Sequence, residues 1–121
     1  MAGAIVSRGI GFVVASVTTT GSDVALNLGF IPCKAEGLNN NAQGDSWSWN
    51  SAMSSALALS SATVFGFIAT SGGTTGAIAA GAGGITALDG SAGTAIGLNI
   101  GTNTTINTSG HVWSIVAHEP H

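Results

Sequence analysis

Between residues 24 and 30 the chain reads Val-Ala-Leu-Asn-Leu-Gly-Phe. Val24, Leu26, Leu28 and Phe30 fall on one side of an extended backbone, and Ala25, Asn27 and Gly29 on the other. A period of two sends alternate side chains to opposite faces, so this stretch predicts a half-buried β-strand. The pattern recurs along the chain. Phe12 to Val17 forms a second candidate strand, and Thr19-Thr20-Gly21-Ser22-Asp23 supplies turn residues between the two. Further on, Trp47 and Trp49 share a face, as do Phe65, Phe67 and Ala69, then Ile96, Leu98 and Ile100, then Trp113, Ile115 and Ala117. Each piece is strand length and bounded by Gly, Ser, Asn or Asp.

Weaker strand candidates surround Ile78 and span Ile85 to Leu88, the latter followed by an Asp89-Gly90 turn signal. The stretch from Ser71 to Gly84, rich in Gly, Ser and Thr, is expected to be a long loop. Ser51 to Ala62 is the one place where a helical turn is expected, because Ala and Leu favour helix there. Many short strands without crossover helices predict an all-β, antiparallel β-sandwich of two packed sheets, within which a jelly roll is the favoured form. At 121 residues the chain suits one domain. Residues 1–10 lack alternation and read as an extended N-terminal arm; residues 11–121 read as a single sandwich domain. Because the chain starts with Met and closes in a short tail, it is expected to be a complete, free-standing subunit.

Charge excludes several function classes. Two cations, Arg8 and Lys34, stand against five carboxylates, and charged residues make up 6% of the chain, where globular domains carry about 25%. Nucleic-acid binding requires clustered Lys and Arg, and anionic lipid requires a basic face. This chain has neither. The apolar runs around Phe12 and Ile78 fall short of the ~20 residues that cross a bilayer. Arg8 lies inside the first apolar run and not ahead of it, which makes a poor secretory signal, and synthesis in a cytoplasm is expected. Polar surface must then come from Ser, Thr, Asn and Gly. A nearly neutral exterior repels neighbours weakly, so much of it is expected to be covered by other subunits.

The candidates for chemistry are few. Cys33 is single, so no internal disulfide forms, and it reads as a small buried thiol. His111, His118 and His121 make a loose set. With the last strand ending near Ala117, the terminal pair would lie in a tail that lacks a second shell to hold a metal. No Gly-x-Ser-x-Gly elbow occurs, and Thr86 stands where a dinucleotide fingerprint needs its third glycine. None of the five carboxylates sits in a stretch suited to the general acid of a glycosidase. The chain is therefore expected to be neither an enzyme nor a cofactor protein. Asn103-Thr104-Thr105 and Asn107-Thr108-Ser109 match the glycosylation acceptor pattern, which matters only on a eukaryotic secretory route. Trp47 and Trp49 could supply core area, a subunit contact or a sugar-stacking platform, the first two being commoner for large aromatics.

A set of short motifs carries a resemblance. They are Gly29, Phe30 and Pro32; Trp49 and Met53; Gly84, Ile85 and Thr86; Gly97 and Gly101; Asn107 and Gly110; and the final strand from Val112 to Ala117. In this the chain resembles small virion proteins of tailed bacteriophages, from about residue 12 onwards. One departure is that Ala35 and Gly37 stand where that group commonly has Val or Ile. The resemblance implies a β-sandwich capsid decoration (cement) subunit that binds the major capsid protein on the outside of the particle, as a dimer or trimer. A tail-fibre or host-attachment module that binds carbohydrate is the alternative. On this reading Ile5 and Val6 would fill a groove on a neighbour, Arg8 would pair with a coat carboxylate, and Trp47 and Trp49 are further interface candidates.

Overall fold

The computed structural model describes residues 3–9, 11–41, 45–51, 64–70, 72–79, 81–90 and 96–119. Among them lie ten strands: β1 (Gly3–Gly9), β2 (Phe12–Thr18), β3 (Val24–Asn27), β4 (Lys34–Asn39), β5 (Ser46–Asn50), β6 (Val64–Ala69), β7 (Thr75–Ala79), β8 (Ile85–Asp89), β9 (Ile96–Ile100) and β10 (Val112–His118). They form two antiparallel sheets. One has seven strands in the order β1-β2-β10-β4-β5-β6-β7, the other three in the order β3-β9-β8. The molecule is thus an all-β sandwich, as the alternation predicts. Its seven-plus-three division among the described residues differs from the eight strands and two Greek keys of a jelly roll.

The large sheet buries one phase of its alternation. Val13, Ala15 and Val17 of β2, Ala35 of β4, Trp47 and Trp49 of β5, and Trp113, Ile115 and Ala117 of β10 all face inward. Val24 and Leu26 of β3, Ile85 and Ala87 of β8, and Leu98 and Ile100 of β9 complete the core from the small sheet. β10 sits mid-sheet, paired along its length with β2 on one side and β4 on the other. Such a strand must offer its inner face to the core from end to end, which is why its burial alternates without a break.

Two glycines permit this packing. Gly37 pairs with Trp47 across β4 and β5, and a Cβ at position 37 would fall among the indole atoms. Ala35 and Gly37 thus cede volume to the tryptophans they pair with on the next strand, since a close-packed interior has no room for both. At Gly97, a Cβ would collide with the Leu26 carbonyl of the paired strand.

The two sheets are tied at one end by Asn107, a buried residue. Its Oδ1 accepts from Gly21 N–H at 2.8 Å and Thr20 N–H at 3.2 Å. Its Nδ2 donates to Ser22 O at 2.7 Å and Gly101 O at 2.8 Å. The carboxamide thus joins the turn between β2 and β3 to the chain leaving β9. Alongside it, the Thr19 hydroxyl donates to Thr108 O at 2.6 Å.

Several expectations change. Residues 3–9, expected to stand apart as an arm, are the edge strand β1, paired with β2 and shifted in register between Ile5 and Ser7. The expected Ser71–Gly84 loop contains β7, whose single large apolar residue, Ile78, is buried. The last strand extends one residue beyond Ala117, so His118 belongs to the ladder opposite Phe12 and Lys34. Residues 52–63, which hold nearly all of the expected helical turn, and His121 lie outside the described residues.

Candidate binding face

The second phase of the large sheet's alternation makes its outer face. β2 contributes Phe12, Val14, Ser16 and Thr18, which lie opposite His118, Val116, Ser114 and Val112 of β10. β10 in turn sets Ser114 and Val116 beside Leu38 and Glu36 of β4. Ser46 and Ser48 of β5 follow, then Ala69 and Phe67 of β6, then Thr75 and Ala77 of β7. Along a strand that pairs on both sides, the expected outward residues are polar. Here Leu38 is 51% exposed, Phe67 46% and Phe12 37%.

Leu38 and Phe67 border a shallow groove of about 800 Å³, lined also by Ser48, Ala77, Ser114 and Val116 among others. Its electrostatics are nearly flat. Glu36 on its rim lies 3.4 Å from Lys34 Nζ, both side chains being more than half exposed. A pair this open adds little stability, but it neutralises both charges where the groove begins. Serine hydroxyls supply the remaining polarity, and Ser114 Oγ accepts from Asn40 Nδ2 at 2.8 Å. The face suits an apolar, uncharged surface of matching shape; an ionic ligand would find no organised partner on it.

The sequence-based candidates fall elsewhere. Trp47 and Trp49 are 3% and 2% exposed. Their shared face is the inner one, so they serve the core and cannot stack on a sugar or touch a neighbour as free rings. Ile5 lies opposite Ala15 on the edge strand and is 44% exposed. For Val6 and Arg8 the backbone alone is described: Val6 falls at the register shift, and Arg8 pairs with Val13.

The remaining candidates also find structural surroundings. His111 Nδ1 lies 2.9 Å from Asn39 Nδ2, on a carboxamide whose Oδ1 accepts from Asn41 N–H at 2.8 Å. Among the described residues no group of three His, Cys, Asp or Glu side chains converges as a metal site would. Cys33 is half-buried, its Sγ 3.6 Å from Glu119 O. Asn107 spends its whole carboxamide on the backbone, which leaves no free amide nitrogen for a glycan.

Sequence reasoning did not single out Leu38 or Phe67 as a surface. A signal was present for Leu38: within Lys34–Asn39 it stands in the phase opposite Ala35, Gly37 and Asn39, an apolar residue where a solvated strand carries a polar one. Compared with protein-family models, with curated proteins and with solved structures, the chain matches none.

Proposed function

We propose that this chain is a structural virion protein, a capsid decoration subunit that binds the outside of a major capsid protein lattice and stabilises the particle. The observation that carries the reading is the outer face of the large sheet, where Leu38 and Phe67 stand exposed around a groove with a neutralised ion pair, and Phe12 is exposed on the same face. Burial of such a face releases water without stranding a charge, and an unpaired buried charge is what makes a joint costly. The motif resemblance supplies the identity of the partner.

The mechanism is contact. A standard interface covers roughly 800 Å² per partner, and contacts repeated over a closed shell reinforce one another, because each bound subunit holds its neighbours in place. Homo-oligomers on a local symmetry axis, as a dimer or trimer, fit that geometry. The strand β1 is already committed to its own sheet, so coat contact is assigned to the outer face and not to an arm.

The experiment is to mix purified chain with shells that lack it and sediment the mixture. Saturable binding at a fixed ratio to coat protein, with a rise in the temperature at which particles release DNA, supports the reading. Chain that stays in the supernatant with shells of the phage that encodes it overturns the reading.

A further inference from the structure

The seven-stranded sheet has two edges, and they are guarded differently. β1 carries a register shift and a cationic residue, Arg8, both of which discourage an incoming strand. β7 has neither. Its sequence, Thr-Gly-Ala-Ile-Ala, contains no charge and no proline, and every residue except Ile78 is exposed.

The unpaired groups of β7 follow from the ladder. Thr70 N–H donates to Thr74 O at 2.9 Å, closing the connection from β6. The register then runs Ala69 to Thr75, Ile68 to Gly76 and Phe67 to Ala77. Hydrogen-bonded and non-hydrogen-bonded pairs alternate along an antiparallel ladder. Ile68 and Gly76 are therefore the next bonded pair, and Thr75 and Ala77 turn their N–H and C=O groups away from β6, to an edge that no other described strand covers.

We propose that β7 pairs antiparallel with β7 of a second copy about a twofold axis at Ala77. The position of the axis follows from the outward groups. Thr75, Ala77 and, by the same alternation, Ala79 point to the edge, and the register that uses all three sets Ala77 against Ala77 and Thr75 against Ala79 of the other copy. Ala79 O already accepts from Ala82 N–H at 3.0 Å, so the exchange at Ala77 is the strongest. A second copy is the occupant because the operation is self-complementary: five small or apolar neutral residues meet five identical ones, with no charge facing its twin. On the outer face Ala77 lies beside the exposed Phe67, so the pairing also joins the two apolar faces into one. This inference stands on the edge geometry and does not depend on binding to a coat lattice. An isolated chain that pairs but ignores shells would sink the proposed function alone.

The test uses the isolated full chain. Sedimentation at tens of micromolar should give a particle of twice the 11.7 kDa chain mass. Hydrogen exchange should show Thr75 and Ala77 amides protected in that particle and exposed on dilution, while the Gly76 amide stays protected at both concentrations. Ala77→Pro removes an N–H that the monomer does not use, at a position where edge strands accept proline. It should leave the far-UV spectrum intact and weaken pairing at least about tenfold. Ala77→Lys, which sets like charges face to face, should do the same and decides the matter if the proline variant misfolds. A parent chain that is monomeric or trimeric, an Ala77 amide unprotected in the dimer, or folded variants that pair as tightly as the parent would overturn the proposal.

Discussion

Trp47 lies across Gly37 of the neighbouring strand, so that the space a side chain would occupy at position 37 is filled by the indole. The flaw that a substitution creates there is overpacking. Gly37→Ala should destabilise the fold by about 1–3 kcal/mol, because the wall behind the indole is core and backbone. Urea unfolding should show a lower midpoint at unchanged slope, and a Trp47→Leu background should recover part of the loss.

The carboxamide of Asn107 makes four hydrogen bonds, two accepted and two donated. Asn107→Ala leaves several buried backbone groups without partners, each costing about 1–3 kcal/mol, and should lower stability by about 3–5 kcal/mol. Asn107→Asp is nearly isosteric yet should rescue little. It places a carboxylate oxygen against the carbonyls of Ser22 and Gly101, where acceptor meets acceptor. Thermal denaturation of the two variants side by side distinguishes loss of volume from loss of donors.

Two core tryptophans carry a burden that the third does not. Among the described residues the indole N–H groups of Trp49 and Trp113 are buried without an acceptor, a state that costs free energy in a dry interior. Trp49→Phe and Trp113→Phe each remove the unsatisfied donor along with some area, so the two effects oppose. Each should change stability by less than about 1.5 kcal/mol, whereas Trp→Ala at either position should cost about 3–5 kcal/mol. A phenylalanine variant as damaging as the alanine variant would show that the N–H is satisfied.

How far the sequence discloses this molecule depends on the kind of signal each part leaves. Strands paired on both sides leave a strong one: Trp113 and Ile115, or Trp47 and Trp49, must alternate with polar positions because the sheet has an inside. β7 leaves almost none, since an edge strand needs only Ile78 for the core, and Thr-Gly-Ala reads as loop. Gly37 shows only that a side chain is missing; what fills the gap belongs to a different strand. Asn107 meets Thr20, Gly21 and Ser22 more than 80 residues away, a pairing set by topology and invisible to local pattern. The Trp47–Trp49 face was legible as a face, but a period of two does not say which of two faces is covered. The second sheet settles that, and it leaves Leu38 and Phe67 as the exposed pair.

Leu38 and Phe67 also provide the variant that separates binding from folding. Both are about half exposed and stand on the outer face, away from the core. Replacing each by Ser removes apolar area that the monomer does not bury in full, so the double variant should keep its unfolding midpoint to within about 1 kcal/mol. If the groove meets a coat surface, the same change removes two large contacts from the centre of the joint, where truncation typically costs more than about 1 kcal/mol per residue. Affinity for shells should then fall at least about thirtyfold. Charge offers a sharper version: Phe67→Asp would bury a carboxylate against an apolar partner and should abolish binding, with the far-UV spectrum unchanged. Titration of shells with parent, double-Ser and Asp chains gives the ranking directly. Equal binding by all three would place the contact on another surface of the molecule.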